Sequence, residues 1–383
     1  MQRAFKVTNR GKMIKILFFI SGLSGGGAEK VLCSLVNNMD QDKFHITVQT
    51  IDEYDPERFL AKGIRYKAIN KYKSKIGRIF FSYLFRFCAE LKLAYRFFVK
   101  DNYDIEVAYL ETISTKIISQ STNKKAKKLA WVHCDLSMKE GMQAVRGKLR
   151  AQYEQFDEII CVSEDVRSGF RKLIGSDLDT VVLPNVIDDE EICAKADDSV
   201  QWPKEEDKVQ LIALGRLTRQ KNFPRLIRTC GRLRDAGCRF CLNILGEGPE
   251  RPELEKQITD LKLDDFVILK GFVCNPYPWI KQADVVVCSS DYEGISTVVQ
   301  EALILSKPIV TTSCTGMKEL LGESEYGMIV DRSEDGLYQG LYQMITDEDV
   351  RNIFREKAKE RSALFRKSKV VDITEKLFAS VLN

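Results

Sequence analysis

The sequence predicts an α/β protein built as two Rossmann-like domains facing each other across a cleft. Three observations carry that expectation. Short β-branched apolar runs alternate with helical patterns along nearly the whole chain, which is the pattern of a mainly parallel sheet. The alternation breaks once, in a polar, acidic stretch after LPNVID (183–188), and then restarts. A length of 383 residues suits two domains of ordinary size. The expected divisions are an N-terminal extension at 1–12, a first Rossmann-like domain over 13–187, a linker at 188–207, a second Rossmann-like domain over 208–366, and a terminal helix within 367–383 that returns to the first domain.

The elements follow in order. The start of the chain imitates a secretion signal, basic and then apolar, but the apolar run is short and GGGAEK opens a helix. Residues 14–20 therefore read as a first buried strand. The helix over 28–39 places Val31, Leu32, Leu35, Val36 and Met39 on one face. Strands follow at 44–51 and near 104–110, 128–133, 158–162 and 180–183. The second half repeats the pattern with VQLIALG (209–215), CLNIL (241–245), FVILKGF (266–272), ADVVVCS (283–289) and PIVTT (308–312).

One stretch departs from the rest. Residues 65–100 hold ten Lys or Arg, ten aromatics and a single acid, Glu90. Two readings stand side by side: a long amphipathic helix whose aromatics are core and whose lysines are solvated, or a segment that docks on an anionic membrane surface.

Composition narrows the function classes. A net charge of +4 is too small to imply a nucleic-acid partner. Eleven cysteines scattered through apolar patterns fit a reducing, cytoplasmic setting, including the inner face of a membrane, better than a disulfide framework. Cys238 and Cys241 form one C-x-x-C, but it lies inside a strand pattern and reads as core. No apolar run reaches the roughly 20 residues of a membrane span.

The chemistry concentrates around EGISTVVQEAL. Glu293 and Glu301 bracket a loop-to-helix boundary, with Gly294, Ile295 and Ser296 in the turn and a helix from Thr297 to Leu305. The first free N–H groups of such a helix form a diphosphate-sized anion site. Glu301 lies roughly 7 to 8 Å along the axis from Ser296, so the two carboxylates can flank a diphosphate and accept from hydroxyls at either end. A nucleotide sugar offers a sugar at one end and a ribose at the other.

LGRLTRQKN puts Arg216 just past a strand and Lys221 at a helix start, where fixed cations stabilise the charge of a departing diphosphate. His133 ends the strand KKLAWVH on the ligand side of the sheet. GLSGGGAEK, with Gly26 and Gly27, is a strand-to-helix turn that lets backbone approach a ligand closely. It lacks G-x-G-x-x-G spacing, although Asp52 stands near where a dinucleotide site wants a ribose carboxylate. The two D-x-D strings, at Asp177 and Asp347, sit in a surface-like loop and at a helix start, so no catalytic metal is expected.

With these parts named, the chain resembles the retaining glycosyltransferases of family four, of the GT-B fold. The carriers are SGGGAEKVLCSLVNNM, WVH, VLPNVID, GRLTRQKN, LGEGPERPELE, KGFV and EGISTVVQEAL. The resemblance implies that Arg216 and Lys221 grip the donor diphosphate, that Glu301 binds the ribose and that Glu293 holds the transferred sugar. It further implies that amides around Ile295, Ser296 and Thr297 contact phosphate, and that Phe272 and Val273 lie where the base is read. By the same resemblance His133 sits near the transferred sugar, and Gly26 and Gly27 belong to the loop that closes on donor and acceptor. Departures fall at Asn185-Val186, where family members often have glycine, and at Gly294 and Ile295. None of them removes a charged group.

The implied function is transfer of a hexose or N-acetylhexosamine from a nucleotide sugar, UDP-linked, to a glycan or lipid-linked glycan in surface polysaccharide synthesis, with neither cofactor nor metal. A GT-B sugar-nucleotide epimerase, a non-catalytic GT-B partner subunit and a nicotinamide enzyme are the alternatives.

Overall fold

The computed structural model describes residues 13–23, 26–72, 74–138, 141–200 and 207–382, and only the backbone at 75 and 78. The expected extension at 1–12 and the last part of the expected linker, 201–206, lie outside the described residues. The chain forms two compact units: one runs to Val186 and resumes at Lys367, and the other spans Ile187–Arg366.

The first unit holds seven strands: β1 (Ile14–Phe19), β2 (Phe44–Asp52), β3 (Arg65–Asn70), β4 (Ile105–Ala108), β5 (Lys127–Val132), β6 (Glu158–Cys161) and β7 (Thr180–Val182). Their order across the sheet is β3-β2-β1-β4-β5-β6-β7, and every pairing is parallel. Ile16, Leu17, Phe18 and Phe19 of β1 are fully buried, as a strand covered on both faces requires. The Gly27–Asn38 helix turns Val31, Leu32, Leu35 and Val36 into the core, the face its spacing predicts. The Lys367–Ser380 helix packs on this unit. Phe378 lies 5.9 Å from Phe18 and 6.5 Å from Phe44 between ring centres, and the Asp40 amide donates to Glu375 Oε1 at 2.8 Å.

The 65–100 segment corrects the expectation of one long helix. Residues 65–70 form β3, an edge strand, and helices follow over Lys75–Glu90 and Ala94–Phe98. Arg65 and Lys67, which alternate with Tyr66 and Ala68, both pair with Asp101, at 2.8 and 2.5 Å. Charged edge strands of this kind carry a weak hydrophobic signal.

The second unit holds β8 (Val209–Leu214), β9 (Phe240–Leu245), β10 (Val267–Gly271), β11 (Val285–Cys288), β12 (Ile309–Thr312) and β13 (Met328–Val330). The order is β10-β9-β8-β11-β12-β13, again all parallel. The expected linker is corrected too, because its first half is a helix, Asp189–Lys195, that belongs to this unit. Asp188 caps it by accepting from the Glu191 amide at 2.9 Å, and Ile192 is buried. Asn275 Nδ2 fixes its end through the Lys195 carbonyl at 2.9 Å. In both sheets the strand order reverses beside the first strand, between β1 and β4 and between β8 and β11. Open sheets of this kind bind ligands at the carboxyl ends of the strands around such a point.

Candidate functional site

In the second unit the segments leaving β8 and β11 meet at that reversal point. Arg216 lies two residues past β8; its guanidinium is exposed and pairs with no acid among the described residues. Lys221 closes a tight helical turn, Arg219–Lys221, rather than opening the helix itself. The left-handed backbone of Asn222 (φ 46°) ends that turn, and its side chain caps the Phe223–Asp235 helix by accepting from the Arg225 amide at 3.3 Å.

Lys221 Nζ donates to Glu293 Oε1 at 2.6 Å, and Ser290 Oγ donates to the same oxygen at 2.6 Å. Burial alone would lower the Lys221 pKa, but the Glu293 carboxylate outweighs it and holds the ammonium above its ordinary value. The lysine stem runs over Gly215, where a Cβ would come within 2.8 Å of Lys221 Cε and where φ is 146°. Glycine is required there on both counts.

Residues that spacing did not reveal bind the two segments together. The Asp291 amide donates to the Gln220 carbonyl at 2.9 Å, and Gln220 Nε2 donates to the Tyr292 carbonyl at 2.9 Å. Asn222 Nδ2 reaches Asp291 Oδ2 at 3.0 Å, and the Arg225 guanidinium pairs with Asp291 Oδ1 at 2.9 Å. Ser289 Oγ donates to the Lys221 carbonyl at 2.7 Å. Lys221 and Glu293 are thus held by their own backbones as well as by each other.

Ser296 caps the Thr297–Ile304 helix, accepting from the Val299 amide at 3.4 Å, while the Gln300 amide bonds the Ser296 carbonyl at 3.1 Å. The Thr297 and Val298 amides have no acceptor among the described residues, and such first-turn amides are available to an anion. Ile295 and Ser296 are buried, and Thr297 is half-buried.

Glu301, one turn further on, is buried, and Tyr277 Oη donates to its Oε1 at 3.5 Å. Burial, reinforced by the Glu301 charge, pushes the Tyr277 phenol well up, so it stays a hydrogen-bond donor. Tyr277 escaped the sequence reading because it opens a short helix after β10, far along the chain from Glu301. Phe272 and Val273 directly follow β10; Phe272 is 60% exposed, an aromatic face left open to a ligand. The site therefore offers two cations and two free amides to an anion, buried carboxylates to hydroxyls, and an open ring to a planar group.

In the first unit His133 follows β5. Its ring lies 4.7 Å from Tyr109 and stacks on Trp131 at 6.3 Å. Burial pushes its pKa down to about 3, with a hydrogen bond to the Tyr109 backbone opposing that only in part. The imidazole is therefore neutral near pH 7, and its Nε2 has no partner among the described residues. Glu111 holds the turn, accepting from the amides of His133 and of Cys134, the latter at 2.9 Å. Gly26 caps the Gly27–Asn38 helix, and its amide donates to Glu29 Oε2 at 3.1 Å. Ser24 and Gly25 of the same loop lie outside the described residues.

Other acids serve the fold. Asp52 accepts from Asn70 Nδ2 at 2.7 Å. Asp177 takes two bonds from Arg150, at 2.9 and 2.6 Å, and Asp347 caps a helix at the Val350 amide.

Residues 194–361 match the family described as glycosyl transferases group 1. The N-acetylgalactosamine-N,N'-diacetylbacillosaminyl-diphospho-undecaprenol 4-alpha-N-acetylgalactosaminyltransferase of Campylobacter jejuni is 36% identical over 49% of this chain and 50% of its own length. A lipopolysaccharide core biosynthesis glycosyltransferase of Rhizobium meliloti is 28% identical over 44% of this chain and 49% of its own. The chain thus spans about half the length of these relatives.

Among solved structures, Anabaena HepE in complex with UDP and glucose superposes with a TM-score of 0.75 at 18% identity, covering 96% of this chain and all of that one. Staphylococcus aureus TarM superposes at 0.74 with 12% identity, covering 97% of this chain and all of that one. Residues 194–361 of the second unit are thus similar to the glycosyl transferases group 1 family, and the chain has the two-unit GT-B fold of these solved structures.

Proposed function

We propose that the chain is a retaining, metal-independent glycosyltransferase that moves a hexose or N-acetylhexosamine from a UDP-sugar to a lipid-linked glycan acceptor in surface polysaccharide synthesis. The observation that carries this reading is the cation pair at the carboxyl end of β8. Arg216 is free, and Lys221 is held charged by Glu293, beside the open amides of Thr297 and Val298. Negative charge grows on the diphosphate as its bond to the sugar breaks, and fixed cations and amides stabilise that charge without a metal. On this reading Glu293 and Glu301 accept from sugar and ribose hydroxyls, and Phe272 and Val273 meet the base. The acceptor oxygen bonds to the anomeric carbon on the face the diphosphate leaves, and a departing phosphate oxygen takes the acceptor proton.

The relatives supply the finer terms. HepE binds UDP, and the Campylobacter enzyme is named for an undecaprenol-linked substrate and an alpha product. An α product from an α-linked sugar nucleotide is retention.

The test is a thermal-shift panel with UDP, GDP, ADP and NAD, with and without magnesium, followed by NMR of the sugar product. A ligand at about 100 times its Kd adds roughly 2.7 kcal/mol. Stabilisation by UDP without magnesium and an α-linked product are expected. Conversion of the sugar with no acceptor present, or stabilisation by NAD alone, would overturn the reading.

A further inference from the structure

The Lys75–Glu90 helix has two apolar faces. Its inner face buries Phe81, Phe85, Cys88 and Ala89 against the first unit. The opposite face is open: Ile76 is 82% exposed, Phe80 64%, Tyr83 71% and Phe87 62%. The spacing of these four, by four, three and four residues, sets them in one stripe. Ile79, Leu84 and Leu91 are exposed beside it. Half of the exposed large apolar side chains of the described residues fall within Tyr72–Phe97, so the exposure is a concentrated patch and not the usual scatter.

Charge narrows what can cover it. Exposed Lys71, Arg86, Lys92, Arg96 and Lys100 pair with no acid among the described residues, and the one acid of the segment, Glu90, is taken by Lys116. A second copy of the chain packing on this face in isologous fashion would bring like charges together, which is unfavourable. A surface that is apolar a few ångströms in and anionic at its rim satisfies both features. Aromatic and aliphatic side chains enter the headgroup boundary while the lysines and arginines face lipid phosphates, each worth about 1 kcal/mol.

We propose that the Lys75–Glu90 helix docks the protein onto an anionic lipid bilayer, lying in the membrane interface with Ile76, Phe80, Tyr83 and Phe87 inserted. No helix of the described residues is long and apolar enough to cross a membrane, so this attachment is peripheral. Phe81, Ser82, Phe85 and Arg86 of the same helix line a cavity of about 580 Å³ that reaches Asp52 and Asn70 at the carboxyl ends of β2 and β3. Docking the helix therefore brings this cavity of the first unit to the lipid surface.

The experiment is vesicle flotation of the full chain, which needs neither donor nor acceptor and so stands apart from any failure of the proposed transfer reaction. Wild type should float with vesicles containing about 30% anionic phospholipid, not with zwitterionic ones, and should release as salt rises. Phe80→Ser/Tyr83→Ser/Phe87→Ser should bind at least tenfold more weakly. So should Lys92→Gln/Arg96→Gln/Lys100→Gln, with the unfolding temperature of both variants held. Flotation unchanged in both variants, no flotation of wild type, or a wild-type dimer that the aromatic variant abolishes would overturn the proposal.

Discussion

Lys221 and Glu293, 72 positions apart in sequence, are hydrogen-bonded at 2.6 Å; Glu293 is buried and Lys221 half-buried. The cation that the proposed reaction sets on phosphate and the carboxylate that it sets on sugar are thus hydrogen-bonded to each other. The Glu293 carboxylate holds the Lys221 ammonium above its ordinary pKa and offsets the desolvation cost that the lysine would bear alone.

Removing both members should therefore cost less than the two single losses added together. Lys221→Met and Glu293→Gln each leave a buried group without its partner, and breaking a buried pair costs about 3–5 kcal/mol. The double variant should be more stable than the sum of the single losses by at least about 1 kcal/mol, read from denaturant unfolding in a double-mutant cycle. Additive losses would show that the pair is not coupled.

Arg216 separates stability from function. It is exposed and unpaired, so Arg216→Ala should change unfolding free energy by less than about 0.5 kcal/mol. The same change should cut kcat/KM by a factor of about 100, since losing one such donor costs about 3 kcal/mol. Turnover within a few-fold of wild type would remove Arg216 from the site.

His133 predicts a pH signature. Its folded pKa of about 3 lies below its ordinary value, so between roughly pH 3 and 6.5 the unfolded chain binds a proton that the folded chain does not. Stability from this residue is therefore full above pH 6.5 and falls with acidification, by at most about 1.4 kcal/mol per pH unit. His133→Gln should flatten the slope of stability against pH over that window, and pH–rate profiles of wild type should show no histidine ionisation near neutrality. An unchanged slope in His133→Gln would mean that the ring titrates normally.

Most of the fold was legible because buried parallel strands are rich in apolar and β-branched residues, and eleven of the thirteen strands among the described residues read that way. β3 and β13 do not, β3 because of its charge and β13 because of its length. β3 spends two of its six residues on charge, and β13 is three half-buried residues. The acidic stretch after Asp188 reads as a linker by composition, yet one buried isoleucine and a capping aspartate suffice to dock a helix there. At the site, the residue types and their strand-end positions were visible in the sequence. The bonds from Gln220, Asn222 and Arg225 to the 289–292 loop were not, because they cross about 70 residues of chain and no spacing rule reaches that far.

Two glycines test how tightly the Glu293 loop is held. Gly316 has φ of 80°, and a Cβ there would lie 2.1 Å from the Gly294 carbonyl oxygen, which is backbone and cannot swing aside. Gly316→Ala must therefore move residue 294, and with it the carboxylate next in sequence that pairs with Lys221. A stability loss of about 1–3 kcal/mol and a fall in kcat larger than any change in KM for donor should follow. Gly231 is the control. It sits inside the Phe223–Asp235 helix with no atom within 4 Å of a built Cβ, so Gly231→Ala should raise stability by about 0.5–1 kcal/mol and leave kcat alone. Equal kinetics in the two variants would mean that the loop tolerates displacement at Gly294, and the close contact with Gly316 would then serve packing rather than the site.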